Sequence, residues 1–210
     1  MPTALSKPQH YESIAKKYSE INELQVQWSK ELAGSAGIKP GDRVLDMGCG
    51  TGELTSYLAN LVGKDGEVVA VDPDFERIKV ACEKHPLENI IFENGESSKK
   101  KIFVQTAFNC LKPGGMIAIQ SHDKEPEIVK EFTKQLVPNN IENNQPTVHL
   151  LEKADAEELL RNSGFVILSS KYSFMAHKFQ NIAEFSSWVY ASDYWDVSKL
   201  STQNMTNFAS

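Results

Sequence analysis

A glycine-rich turn between an apolar run and an amphipathic run constrains this chain more than any other feature. Val44 and Leu45 lead to Asp46, and glycines then follow at alternate positions: Gly48, Gly50 and Gly52. Glycine lacks a Cβ and tolerates positive φ, so the backbone of such a turn can lie directly against a ligand. The helix that follows would present unpaired N–H groups to a carboxylate, and Asp46 could accept from an ammonium. The turn therefore predicts a site for an amino acid head group.

A second β-rich run, residues 66–72, ends in Asp72, which lies 20 residues after Gly52. This spacing is typical of the second strand of a βαβ unit, where a carboxylate can bind both hydroxyls of a ribose. A dinucleotide-dependent dehydrogenase would have the pattern Gly-x-Gly-x-x-Gly, but here the third glycine comes one residue early and Glu53 occupies the last position. The two acids and the turn predict a site for S-adenosylmethionine (SAM), with its ribose at Asp72.

These motifs resemble motif I and the following strand of class I SAM-dependent methyltransferases. The match continues through residues 111–119, Leu-Lys-Pro-Gly-Gly-Met-Ile-Ala-Ile, which are similar to the turn before the fifth strand of that family. The resemblance implies an α/β fold with a doubly wound, mainly parallel Rossmann-like sheet. It also implies that SAM is bound by Asp46, Gly48, Cys49, Gly50, Gly52, Asp72 and Pro73.

Two further cofactor contacts follow from the resemblance. Residues 10–18 resemble the N-terminal helix that lies over the cofactor in small-molecule methyltransferases, which implies a role for Tyr18 at the cofactor and for Tyr11 at the substrate. Glu96, after the third predicted strand, matches the place where the family binds the adenine amino group. The alternatives are core packing for the two tyrosines and a solvated loop acid for Glu96.

The substrate side of the predicted site depends on later residues. His122 follows the predicted strand 116–120 at the edge where ligands of open α/β sheets bind, so it is the candidate general base, with a solvated loop histidine as the alternative. An aromatic cluster after the predicted strand 165–172 favours a lid over the substrate rather than simple helix packing. The residues expected to contact substrate there are Trp188, Tyr194 and Trp195.

The alternation of strands and helices predicts an N-terminal helical segment (1–40), a SAM-binding core (41–175) and a helical cap (176–210). The predicted strands are 43–47, 67–71, 89–92, 116–120 and 165–172. The predicted helices are 10–36, 53–62, 75–85, 101–111, 125–136, 152–162 and 181–195.

The family's fourth strand has no counterpart here. Only residues 94–100 separate the third predicted strand from the next helix, and no apolar run lies among them. Strand four pairs with strand one in that family, and buried backbone groups without partners cost about 1–3 kcal/mol each. We therefore expect that roughly 20–30 residues, a strand plus a loop, are absent from the chain near Ser97–Lys100. The end at Ser210 likewise resembles a cut rather than a natural terminus.

Composition narrows the function. A formal net charge of −6 disfavours a nucleic-acid substrate, which usually requires a basic face. Three scattered cysteines fit a reducing compartment and show no metal-ligand spacing, so we expect a cytoplasmic protein without a metal. No apolar run is long enough for a membrane span. The expected partner is a small molecule, and the sequence leaves the oligomeric state open.

The predicted activity is methyl transfer from SAM to a small molecule. The chain is loosely similar to the trans-aconitate, malonyl-carrier and juvenile-hormone-acid methyltransferases, which implies O-methylation of a carboxylate. Three alternatives stay open: N-methylation of a small amine in an aromatic pocket, a catalytically silent SAM-binding protein that acts through a partner, and a dehydrogenase, which the glycine spacing disfavours.

Overall fold

The computed structural model describes residues 15–20, 22–95, 100–121, 151–173 and 178–181, together with residues 184 and 188. The chain divides into two compact units, Met1–Gln120 and Ser121–Ser210. The first unit contains the glycine turn and the two strands that end in acids. The three segments predicted for the chain, 1–40, 41–175 and 176–210, stay predictions.

Two short helices precede the sheet: α1 (residues 15–20) and α2 (Glu23–Ser35). The sequence predicted helical structure over 10–36, and the structure interrupts it at Asn22, which stands at the N-cap of α2. The Asn22 side chain is buried and donates hydrogen bonds to residues beside the glycine turn. This side chain makes no capping hydrogen bond to α2, so its bonds connect the start of α2 to the residues near the turn instead of closing the helix end.

Three parallel strands form the described sheet in the order β1 (Arg43–Met47), β2 (Glu67–Asp72) and β3 (Ile90–Asn94). Helix α3 (Glu53–Val62) connects β1 to β2, and α4 (Phe75–Lys84) connects β2 to β3. These bounds lie within two residues of the predicted ones. The parallel α/β arrangement expected from the sequence is therefore confirmed.

One face of this sheet forms the core. Val44 of β1, Val68 of β2 and Ile90 of β3 lie in register. They pack with α2 and α3 through Ala33, Leu58, Ala59 and Val62. On the opposite face Leu45 is 54% exposed and Ile91 is 43% exposed. The described helices that pack on the sheet therefore lie on its core face. Asp46 and Asp72 belong to this same face.

Helices α5 (Lys100–Cys110) and α6 (Lys153–Asn162) occur where the sequence predicted them. The predicted strands 116–120 and 165–172 are wrong, because both segments are irregular. A strand needs a neighbouring strand to pair with, and neither segment joins the sheet that the described strands form. Val166 and Leu168 are accordingly 82% and 77% exposed.

Parts of the later predictions lie outside the described residues. The predicted helix 125–136 falls there entirely, and so do residues 97–99 of the expected gap. Of the described residues in the predicted helix 181–195, residues 184 and 188 are helical and residue 181 is not. None of the helices in the described ranges combines the length and the apolar character needed to cross a membrane.

Candidate functional site

The glycine turn joins β1 to α3 at the carboxyl ends of the parallel strands. Its three glycines have positive φ, and Gly52, with φ 86°, is the N-cap of α3. A Cβ on Gly52 would lie 2.9 Å from Cδ2 of His85 and 3.1 Å from Cβ of Ala81. Glycine is therefore required at this position both by the backbone conformation and by the close approach of α4.

Asp72, at the end of β2, ties two loops together. Its Oδ2 accepts a hydrogen bond of 2.9 Å from the N–H of Gly50, and its Oδ1 accepts one of 2.9 Å from the N–H of Asp74. The residue is buried. A carboxylate has about four acceptor positions, so two remain for a ligand after these bonds.

Asp46, at the end of β1, is a second buried acid. Its Oδ2 accepts a hydrogen bond of 2.7 Å from the hydroxyl of Thr55 in α3. Burial raises the pKa of Asp46 above its ordinary value and the charge of Asp72 adds to the increase, while the Thr55 bond opposes it. Two carboxylates thus face unfavourable burial and mutual repulsion on either side of one turn. A bound cation would relieve both effects.

The residues after β2 and β3 fix the shape of this edge. Asn94 Nδ2 donates to the carbonyl of Asp72 at 2.9 Å and to that of Pro73 at 3.0 Å. Asp74 caps α4 by accepting from the N–H groups of Glu76 and Arg77. Pro73 itself is exposed next to Asp72, where the sequence analysis placed a cofactor contact.

Tyr18 lies against the glycine turn, as its predicted role requires. A Cβ on Gly50 would lie 3.7 Å from Cε1 of Tyr18. The guanidinium carbon of Arg77 lies 4.5 Å from the centroid of the tyrosine ring, a cation–π arrangement. Burial raises the pKa of Tyr18, Arg77 opposes the increase, and the charges of Glu53 and Asp72 add to it. Tyr18 therefore stays a neutral phenol beside the turn.

A cluster that the sequence analysis did not predict surrounds Glu53, the first residue of α3. Its Oε2 accepts from Asn22 Nδ2 at 3.0 Å and from the Thr51 hydroxyl at 2.6 Å. Its Oε1 pairs with Lys84 Nζ at 2.7 Å. Burial pushes the Glu53 pKa up, but the bonds from Lys84, Thr51 and Asn22 outweigh it and hold the pKa below its ordinary value. Glu53 is therefore charged at neutral pH.

The two remaining turn residues differ in role. Cys49 places its thiol in the core with Ala70 and Ile78, and burial raises the pKa of that thiol, with the charges of Asp46 and Asp72 adding to the increase. Gly48 borders open space, because a Cβ there would meet no atom within 4 Å. Of the three turn glycines, Gly48 is therefore the one with room beside it for a ligand among the described residues.

The other predicted site residues are only partly described. Trp188 contacts Phe179 in the second unit, with ring centroids 5.8 Å apart. Its role at the substrate stays a prediction. Tyr11, Glu96, His122, Tyr194 and Trp195 lie outside the described residues. Within the described ranges, no three histidine, cysteine or acidic residues come together as a metal site.

Comparison with known proteins agrees with this geometry. The family model described as a methyltransferase domain matches residues 21–170. The ubiquinone/menaquinone biosynthesis C-methyltransferase UbiE of Pseudomonas aeruginosa is 29% identical over 157 residues, which cover 69% of this chain and 60% of that protein. The chain therefore spans less than two thirds of this curated relative.

Two solved structures share the fold. A SAM-dependent methyltransferase from Aquifex aeolicus is 21% identical, with a TM-score of 0.55 over 73% of this chain and 87% of that chain. A chain in the complex between the Haloferax volcanii Trm112 methyltransferase activator and a methyltransferase gives a TM-score of 0.61 at 14% identity, covering 95% of both chains. These likenesses establish the Rossmann-like fold.

Proposed function

This chain belongs to the class I SAM-dependent methyltransferase family, and from that membership we propose that it transfers a methyl group from SAM to a small molecule. Membership rests on the family match over residues 21–170. The observation that carries the proposal is the pair of buried acids, Asp46 and Asp72, on either side of a glycine turn whose Gly50 N–H is bonded to Asp72.

The residues present fit the cofactor. Asp72 has acceptor positions left for the two ribose hydroxyls, and the open space at Gly48 lets a ligand lie against the backbone. The raised pKa of Asp46 marks a site where a bound ammonium would be stabilising. The first N–H groups of α3, which have no partner within a helix, suit the methionine carboxylate.

The bound cofactor would supply an electrophilic methyl group on a sulfonium. The chain's contribution is then to hold donor and acceptor in line and to exclude water. Tyr18 suits this role because it covers the turn at Gly50 from the side of the N-terminal helices. Its phenol stays protonated, since burial raises its pKa, so it can line the site without adding a charge.

For the acceptor we propose a carboxylate oxygen, which is ionised at neutral pH and needs no general base. The resemblance to carboxylate-esterifying methyltransferases supports this choice. A carbon acceptor is the second candidate, because the relative from Pseudomonas aeruginosa is named a C-methyltransferase. That acceptor would call for activation of the substrate, for which His122 stays the predicted base.

Two measurements test the proposal. Calorimetry with SAM and with S-adenosylhomocysteine should show binding by the unmodified chain. Release of S-adenosylhomocysteine should then be followed over a panel of small carboxylic acids, amines and hydroxylated aromatic rings. Turnover of acids supports O-methylation, and turnover of aromatic rings with a new carbon–methyl bond replaces it with the second candidate. Binding without turnover of any class would favour a silent SAM-binding protein, and no binding would refute the proposal.

A further inference from the structure

We infer that Glu53 is a positioning residue whose charged side chain holds the two N-terminal helices on the glycine turn, and that this contact sets how long the cofactor stays enclosed. The inference rests on the proposed function, because it concerns the cover of the same site. Glu53 is not assigned any contact with the cofactor or with the reacting atoms. Its effect is transmitted through the residues that it holds.

The contacts of Glu53 reach three other segments of the chain. Asn22 lies between α1 and α2, Thr51 lies in the glycine turn, and Lys84 lies in the last turn of α4. Asn22 and Thr51 are both buried, and Asn22 Nδ2 also lies 3.3 Å from the Thr51 hydroxyl. One carboxylate thus joins the N-terminal helices, the turn and α4.

The charge of Glu53 matters as well as its shape. Lys84 Nζ lies 2.7 Å from Oε1 of Glu53 and also 3.5 Å from the carbonyl oxygen of Ser19 in α1. The ammonium therefore bridges the carboxylate and α1. An acid in the first turn of α3 is further favoured by the positive end of that helix. A neutral side chain at this position would lose both effects while keeping similar bulk.

The position of α1 in turn determines what covers the turn. Tyr18 precedes Ser19 directly, and its ring lies over Gly50 and under the Arg77 guanidinium. Gly50 donates its N–H to Asp72, the acid proposed to bind the ribose. If α1 moves away from Lys84, Tyr18 loses its place over Gly50, and the cofactor site opens on that side.

The test compares Glu53→Gln with Glu67→Gln. Glu67 is a matched control because it also pairs with a cation, Arg43, at 2.6 Å, but on the exposed amino ends of β1 and β2. Amide hydrogen exchange of residues 15–20 and 22–35 is measured without cofactor, and affinity and release rate are measured for S-adenosylhomocysteine. Lys84→Gln and the double variant Glu53→Gln/Lys84→Gln complete a cycle.

We expect Glu53→Gln to speed exchange in α1 and at Asn22, and to weaken S-adenosylhomocysteine affinity about tenfold, within the range typical of coupled sites. The loss should come from faster release, since the cover is opened rather than the binding groups removed. Lys84→Gln should reproduce the effect, and the double variant should add little to it. Glu67→Gln should behave as the unmodified chain.

Three outcomes would overturn the inference. Affinity and exchange in Glu53→Gln equal to those of Glu67→Gln would show that the charge has no positioning role. If Glu53→Gln lowers the melting temperature but leaves the exchange of α1 unchanged relative to the rest of the chain, the Glu53–Lys84 ion pair contributes only to overall stability. Additive losses of affinity in the double variant would show that Lys84 and Glu53 act independently of each other. If the unmodified chain binds no S-adenosylhomocysteine, the proposed function is refuted. In that case hydrogen exchange alone still decides whether Glu53 holds α1 in place.

Discussion

Asp72→Asn separates the structural role of this acid from its role in binding. In the structure the two carboxylate oxygens accept from the N–H groups of Gly50 and Asp74, both at 2.9 Å. Asparagine keeps the shape but turns one acceptor into a donor, so one of these N–H groups loses its partner. A hydrogen bond to a charged group contributes about 1.5–3 kcal/mol, which for a chain of this length lowers the melting temperature by about 3–12 °C.

The affinity for the cofactor should also fall, independently of the loss of stability. The variant lacks the negative charge that the ribose hydroxyls would contact, so the affinity for SAM should drop by about 1.5–3 kcal/mol, or roughly 10- to 150-fold. Calorimetry at a temperature where the variant is folded measures this. Asp65→Asn is the control, because Asp65 is an exposed acid paired with Lys64. Unchanged affinity in a folded Asp72→Asn variant would refute the ribose assignment, and an unchanged melting temperature would refute the role of Asp72 in tying the two loops.

Three shorter predictions concern the same turn. Asp46→Asn should weaken SAM binding while leaving the melting temperature unchanged or raised, because burial raises the pKa of Asp46 and the amide oxygen can still accept from Thr55. Gly52→Ala should lower the free energy of unfolding in urea by about 1–3 kcal/mol, since φ is 86° and a Cβ would meet His85. Because the pKa of Glu53 is depressed, its contribution to the free energy of unfolding should be present above pH 4.5, the ordinary pKa, and be lost as the pH falls through the depressed pKa. Equal melting temperatures of the unmodified chain and of Glu53→Gln at neutral pH would contradict this.

The elements that the sequence predicted well are those with local causes. The bounds of α3 follow from Gly52 at its start and Gly63 at its end, and α4 starts at the capping side chain of Asp74. Residues 116–120 show the opposite case. Their apolar pattern is that of a strand, but a strand also requires a neighbour distant in the chain, which no local pattern supplies. The same reason explains the failure at residues 165–172.

In the candidate site, too, the features with local causes could be predicted and those that depend on distant residues could not. The placement of Asp46 and Asp72 could be predicted because each lies at the carboxyl end of a strand, at a fixed distance from the glycine turn. The hydrogen bonds of Glu53 could not, because Asn22 and Lys84 are each 31 residues away from it in the chain. Its only sequence signal is an acid directly after the last glycine of the turn. That signal indicates a favourable place for a negative charge but does not identify its partners.

The last prediction concerns the free edge of β1. In the described part of the chain β1 pairs only with β2, and Leu45 is 54% exposed. This strand carries Asp46, so a partner on its other edge would hold the proposed site more rigidly, and an unpaired edge invites association with other chains. We therefore predict that the natural protein contains a further strand near Ser97–Lys100, which pairs with β1. The intact mass of the protein isolated from its source should then exceed 23.5 kDa, and a peptide spanning these residues should contain the added segment. A mass of 23.5 kDa with an uninterrupted peptide would refute this, and the chain would then bind its cofactor on an edge strand.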